Sequence, residues 1–310
     1  KGREDTGSYE PVQLGKRLGL GGEALVYQLP DGKCAKIFKS KNNSVMKKEK
    51  IRIMVRKLGA MRAVDAALMS RLAWPEKMLY NEQREWLGFI MPAFSNTHPF
   101  ADYSYDTFPA LIPNVSKADQ IRMSVALTEL VDFLHYNNIV LCDINTSNIL
   151  FDNDQNAYLI DLDSAQVAFE EKVFPTNVGL PDYLSPEHIR SCTFDFIKKK
   201  CDDVWILQNL IFKILTPCGH PYSSSIYCED DREYVEKGIY PFQFDKHPAE
   251  EKIRGSPWYN VISHLPYYLK EGFWESFHGE GKWFHEKERR PVSYWLNILV
   301  PGRSARSYCL

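Results

Sequence analysis

The chain has 310 residues, 44% of them hydrophobic and 25% charged, a composition that excludes a disordered tail or a fibrous repeat. Thirty-eight basic against forty acidic residues leave a formal charge of −2, too even for a nucleic-acid coat or a polybasic membrane binder. At this length two lobes are expected rather than one small core.

Residues 1–13 are polar and read as a flexible lead. From 14 to 38, short β-type runs alternate with turn residues. The runs are 14–18, 25–29 and 33–38, with Gly19-Leu20-Gly21-Gly22 and Pro30-Asp31-Gly32 as the turns between them. This predicts an antiparallel meander. A helix is predicted over 44–58, with Val45, Lys48, Ile51 or Arg52, and Val55 on successive turns. A second is predicted over 62–72, stopped before Trp74-Pro75. Strands are expected near 78–80 and 86–91, with a break at Pro92. Ser116-Lys117-Ala118-Asp119 is a capping box opening a long helix to about Asn137, striped by Met123, Leu127, Leu130, Val131 and Leu134. Short strands at 139–142, 149–151 and 158–160 follow, and helices dominate from Val204 onward. The expected fold class is α+β: a small antiparallel β-rich lobe with a helix over 14–92, and a larger α-helical lobe over 93–310.

Seven cysteines, at 34, 142, 192, 201, 218, 228 and 309, form no C-x-x-C pair, which reads as free thiols in a reducing, cytoplasmic setting. Cys218 and Cys228 with His220 are spaced too loosely for a convincing zinc site. The apolar stretch from Val204 to Leu215 is interrupted by Gln208, Asn209 and Lys213 and is too short to span a bilayer. No membrane role is expected. No signal peptide is visible, and a first residue of Lys rather than Met suggests a piece of something longer.

Four groups of residues carry chemistry. The Gly19-Leu20-Gly21-Gly22 turn can let backbone N–H groups approach phosphate oxygens, although such hairpins often serve only as turns. A strand follows it rather than a helix, so it is not a dinucleotide fingerprint. Lys36 lies on an otherwise apolar strand, where it is either a solvated lysine or a phosphate-binding one steadied by Glu49 of the next helix. Asp143-Ile144-Asn145-Thr146-Ser147-Asn148 follows one strand, and Asp161-Leu162-Asp163 follows another. Asp143 can accept a hydroxyl proton, while Asn148 and Asp161 offer hard oxygen ligands for Mg²⁺. Read singly, each could be an Asx turn at a strand end. His135 reads as a packed structural histidine, and Met91 borders a possible adenine slot.

In this order, the residues resemble the protein kinase superfamily over about 14–299. Gly19, Gly21 and Val26, with Gly22, are similar to its glycine-rich loop, Ala24 standing in for the third glycine. Lys36 and Glu49 match its lysine–glutamate pair, Asp143 and Asn148 its catalytic loop, and Asp161 the first position of D-F-G. Ser185-Pro186-Glu187 resembles A-P-E, Asp203-Val204-Trp205 the helix after it, and Arg290-Pro291 the late arginine that pairs with the A-P-E glutamate. The resemblance implies a two-lobed, ATP- and Mg²⁺-dependent Ser/Thr protein kinase, with Mn²⁺ as a substitute metal and a protein hydroxyl as acceptor. It also implies a buried Glu187–Arg290 ion pair.

Shorter words, among them Gly22-Glu23, Trp74-Pro75 and Asp161-Leu162-Asp163-Ser164, are similar to bacterial kinases of tellurite-resistance-type systems. That implies a partner phosphatase and a von Willebrand A-domain protein. Three departures from the family pattern bear on turnover more than on nucleotide binding. Cys142 replaces the arginine that receives an activation-loop phosphate, Asn145 a lysine that neutralises the γ-phosphate, and Asp163 the D-F-G glycine. They keep two alternatives open: a nucleotide-binding pseudokinase or scaffold, and a small-molecule kinase on the same fold.

Overall fold

The computed structural model describes residues 10–39, 44–102, 115–141, 143–175, 183–191, 197–216, 221–222, 231–242 and 262–301. Cys142, Thr176, Cys192, Cys218, His220, Cys228, Trp258 and Cys309 lie outside them. The chain divides into two compact units, Lys1–Ala60 with Ala73–Ser95, and Met61–Leu72 with Asn96–Leu310.

The first unit is built on a five-stranded antiparallel sheet in the order β1-β2-β3-β5-β4. Its strands are β1 (Arg17–Leu20), β2 (Ala24–Gln28), β3 (Lys33–Phe38), β4 (Lys77–Tyr80) and β5 (Trp86–Pro92). β1 starts later than its hydrophobic pattern predicts and takes in Gly19 and Leu20, so the turn shrinks to Gly21, Gly22 and Glu23. A bulge between Arg17 and Gly19 sets this register. Leu29, Ala35, Leu79 and Ile90 form a buried cluster with Ile37 against it. Gly88 faces Ile37 across the β3–β5 pair, and a Cβ there would lie 1.9 Å from the Lys36 carbonyl oxygen. Only glycine lets those strands close.

Helix α1 (Val45–Val64) connects β3 towards β4 and runs through Gly59 without a break. The separate helix expected over 62–72 is therefore the last three residues of α1 and a single turn, α2 (Ala66–Met69). Asp65 makes the division: its extended backbone (φ −156°, ψ 101°) stops α1, and its carboxylate accepts the Leu68 N–H at 2.9 Å. In the first unit, the buried Trp74 indole N–H donates to the Met54 carbonyl at 2.8 Å, pinning α1 to the segment before β4.

The second unit continues with β6 (Thr97–Pro99), α3 (Lys117–Tyr136), β7 (Ile139–Val140), β8 (Ile149–Asp152), β9 (Ala157–Leu159), β10 (Gln166–Phe169) and β11 (Lys172–Phe174). Then come α4 (Pro186–Ser191), α5 (Lys200–Leu215), α6 (Asp231–Lys237), α7 (Tyr267–Phe277) and α8 (Val292–Leu299). The capping box at α3 forms as predicted, with Ser116 Oγ and the Asp119 carboxylate each satisfying the other's N–H. α3 packs on α5 and α8. α5 is buried on every side, from Asp203 through Leu215 except Lys213. Its Phe212 meets Phe273, Phe277 and Tyr240 edge-on, with the Phe212 and Phe273 centroids 5.1 Å apart. α5 begins four residues before the apolar run because Asp202 accepts the Lys199 N–H and caps its first turn.

Two small three-stranded sheets, β6-β8-β9 and β11-β10-β7, flank the loop that carries Asp143. Strands β6, β10 and β11 have no counterpart in the predicted elements. Among the described residues no helix is long and apolar enough to cross a membrane, and Cys34 and Cys201 are free thiols.

Candidate active site

In the first unit the strand register collects several of the predicted residues. Val26 pairs with Lys36, and Cys34 with Met91, so alternation puts Val26, Cys34, Lys36 and Met91 on one face of the sheet. Lys36 is buried at 8% exposure, its ammonium 5.9 Å from the Phe38 ring. Glu49 sits half-buried in the second turn of α1. Nearby on α1, Lys47 lies over the Phe38 ring at 4.6 Å and pairs with Glu23 at 2.5 Å.

The glycine turn is held by a residue the sequence did not flag. Lys39, just past β3, donates from Nζ to the Gly21 and Gly22 carbonyls at 2.8 and 3.1 Å. Neither Gly21 nor Gly22 has a positive φ, and a Cβ on Gly22 would meet nothing within 4 Å. Neither crowding nor backbone conformation within the chain requires glycine at 22. Cys34, also unflagged, shares the Lys36 face, where burial drives its thiol up to about 11 despite the opposing Lys36 charge. It is an inert packing thiol at neutral pH.

The second unit brings Asp143, Asn148 and Asp161 together. Asp143 follows β7, Asn148 precedes β8, and Asp161 follows β9. β8 and β9 pair antiparallel with Ile149 opposite Leu159, and the Ile160 N–H donates to the Asn148 carbonyl at 2.9 Å. This hairpin delivers both metal-ligand candidates to one end of the sheet. The Asn148 side-chain nitrogen donates to the Asp143 carbonyl at 3.2 Å. Its Oδ1 is therefore turned away and takes no hydrogen bond among the described residues.

Burial raises the Asp143 carboxyl above its ordinary range; the Asn145 hydrogen bond opposes this, and the negative charge of Asp161 adds to it. Asp161 occupies the left-handed region (φ 61°, ψ 32°), an uncommon place for a residue with a Cβ. An amide oxygen beside a carboxylate, with a second carboxylate near, is the hard-oxygen set that suits Mg²⁺ or a similar divalent ion.

Two buried hubs hold this loop. Asp203, fully buried at the start of α5, accepts the Leu141 N–H at 2.7 Å and contacts His135 Nε2 at 2.8 Å. His135 is thus the structural histidine its position suggested. At the second hub the expected pairing is corrected. Glu187 pairs with Arg289, through bonds of 2.7 and 3.1 Å, and not with Arg290. A short 3-10 turn, Glu286–Glu288, ends at Arg289 and sends its side chain inward, 5.1 Å from the Trp205 ring. Arg290 points the other way, exposed, against Trp283 and Tyr294. Adjacent identical residues on non-helical backbone face opposite sides, and nothing in the sequence marks which faces in. Glu187, His188 and Asp202 also bring ligand atoms within 4.8 Å of one another. Each is already engaged: Glu187 by Arg289, His188 by Ser185 Oγ at 2.6 Å, and Asp202 by the Lys199 N–H.

Comparison with known proteins bears on the family. A family model described as the protein kinase domain matches residues 12–260. "Protein kinase YegI" of Escherichia coli K12 is 26% identical over 98% of the chain and 47% of its own length. The cAMP-dependent protein kinase catalytic subunit of Dictyostelium discoideum is 32% identical over 37% of the chain and 17% of its own length. "Protein kinase C-like 1" of Caenorhabditis elegans is 31% identical over 34% of the chain and 15% of its own length. The chain spans just under half the length of this Escherichia coli relative. With the family model covering well over half of it, the chain belongs to the protein kinase family.

Proposed function

We propose that this chain is an ATP- and Mg²⁺-dependent Ser/Thr protein kinase, with Asp143 as catalytic base and Asn148 and Asp161 as metal ligands. The observation that carries this is the junction of Asp143, Asn148 and Asp161 at one end of the β8–β9 hairpin, with Asn148 Oδ1 turned outward. Phosphoryl transfer asks a protein mainly for positioning and charge neutralisation. Asp143 takes the proton of the acceptor hydroxyl as its oxygen bonds to the γ-phosphorus and the bond to the β–γ bridging oxygen breaks, leaving ADP. Its raised affinity for protons suits that role. A divalent ion held by Asn148 and Asp161 would offset phosphate charge. Lys36, steadied by Glu49, would orient the α and β phosphates. Gly19 at the end of β1 and the Gly21-Gly22 turn would cover them, with Val26 and Met91 beside the base. The uncrowded Gly22 supports close approach of a ligand there.

A protein acceptor is favoured by the Ser185-Pro186-Glu187 segment, which Arg289 anchors as a platform. The finer likeness to tellurite-resistance-type kinases, with a partner phosphatase and a von Willebrand A-domain protein, rests on short sequence words, and co-purification tests it. A cytoplasmic site is the reading of the scattered thiols.

The test is transfer from γ-labelled ATP to the protein itself and to casein, followed by identification of the modified residue. Phosphoserine or phosphothreonine is expected. In parallel, Asp161→Ala should abolish Mg²⁺-dependent ATP binding by calorimetry, and unchanged binding would remove Asp161 from the metal site. Asn145, where the family pattern has a lysine, favours a second reading as a nucleotide-binding pseudokinase. Stabilisation by Mg·ATP without any transfer would select it.

A further inference from the structure

Asn145 stands where the resemblance implies a phosphate-binding lysine, and both ends of its amide are engaged inside its own loop. Its Oδ1 accepts the Ser147 N–H at 2.9 Å and the Asn148 N–H at 3.1 Å. Its Nδ2 donates to Asp143 Oδ1 at 3.0 Å. The two ends of the amide cannot be exchanged. An oxygen must face the two backbone donors and a nitrogen must face the carboxylate, so both neighbours dictate the same orientation.

We propose that Asn145 is a positioning residue that fixes the Asp143 carboxylate for proton transfer, coupling it to the backbone that presents Asn148. This rests on the reading of Asp143 as the base. With Oδ1 occupied by the amide, Asp143 Oδ2 takes no hydrogen bond among the described residues and is the oxygen presented to an acceptor hydroxyl. A single carboxylate rotamer is thereby selected before substrate arrives. The same side chain closes the turn from which Asn148 projects, so base and metal ligand are set by one amide. The device supplies orientation and no charge. It therefore acts on turnover and leaves nucleotide affinity alone, whereas a lysine here would act on both.

Two substitutions separate this role from a purely structural one. Asn145→Asp keeps an oxygen for the Ser147 and Asn148 N–H groups and so keeps the turn. It replaces the donor to Asp143 with a second acceptor. Asn145→Ser keeps a short acceptor for the turn, with no donor that reaches the carboxylate and no added charge. Measured as casein phosphorylation and autophosphorylation, kcat should fall about 10- to 100-fold in both. In the uncharged Asn145→Ser, KM for ATP and the thermal shift produced by Mg·ATP should stay within about twofold of wild type. Asn145→Asp retaining wild-type kcat would overturn the inference, because the turn alone would then be what matters. Loss of Mg·ATP binding in step with kcat in Asn145→Ser would also overturn it.

Asp143→Asn, assayed alongside, separates the two readings. If it transfers phosphate normally, the base assignment falls and takes this inference with it. If it is inactive while Asn145→Asp is not, only the positioning role falls. A readout independent of turnover is the ¹⁵N-resolved side-chain amide signal of Asn145 in the nucleotide-free protein. It should move on Asp143→Asn, and an unmoved signal would show that the hydrogen bond is not formed.

Discussion

Asp143 and Glu187 are both partly buried carboxylates of the same unit, and their surroundings push them in opposite directions. Asp143 has an amide and a neighbouring carboxylate for company, and its proton affinity is raised by burial and by Asp161. Burial also raises that of Glu187, but the hydrogen bonds and charge of Arg289 outweigh it and hold Glu187 below its ordinary value of 4.5. A carboxylate paired with a cation is spent on structure; one left with neutral and negative neighbours is available for protons. The contrast separates the residue proposed to react from the residue that holds the platform.

Removing each side chain should therefore fail in a different assay. Asp143→Ala should lower phosphate transfer roughly 10²- to 10⁴-fold while the thermal midpoint stays within about 2 °C. A variant with full transfer would remove Asp143 from the chemistry. Arg289→Ala should cost about 3–5 kcal/mol by urea unfolding, since it strands Glu187 and empties the space over Trp205. A loss under 1 kcal/mol would show that the pair is not structural.

Glu187→Gln sharpens the comparison through pH. Because the folded protein lowers the Glu187 pKa, its ionised form contributes stability that is full at neutral pH and lost as pH falls through the depressed value. The stability gap between wild type and Glu187→Gln should be constant near pH 7 and close progressively below about pH 4.5. A gap that widens on acidification would contradict the pairing. His188, Asp202, Cys201 and Arg289 surround this carboxylate, so the measurement is best made as a difference between the two proteins.

Asp203→Asn should cost about 1–3 kcal/mol, because an amide can still accept the Leu141 N–H but loses the charge-assisted contact to His135. Arg290→Ala, one residue from the buried arginine, should change stability by less than about 0.5 kcal/mol. A large effect there with little at Arg289 would reverse the assignment.

What the sequence made legible follows from how local each signal is. Lys36, Asp143, Asn148 and Asp161 lie in short words on or beside predicted strands, so the elements that carry them could be read in advance. The Ser116–Asp119 cap was legible for the same reason. Arg289 was not, because Arg289 and Arg290 are chemically identical and only the 3-10 turn before them decides which is turned inward. The α1–α2 boundary was misplaced because Gly59 looks like a helix breaker, while Asp65, the true stop, looks like an ordinary polar residue. Strand β10 takes its place from β7, 26 residues before its start (166 − 140), a pairing no local pattern shows, and β11 only folds back on β10. Lys39 and Asn145 were overlooked or read for their charge alone, since a hydrogen bond to a turn carbonyl or a neighbouring carboxylate leaves no periodic trace.

The left-handed backbone at Asp161 sets two pressures against each other. A Cβ in that conformation costs roughly 1 kcal/mol relative to glycine, so the position is a standing reserve of stability that a single codon change could release. A laboratory population grown under heat alone, with phosphate transfer unrewarded, should drift towards glycine at 161. A population made to phosphorylate should keep the strained aspartate.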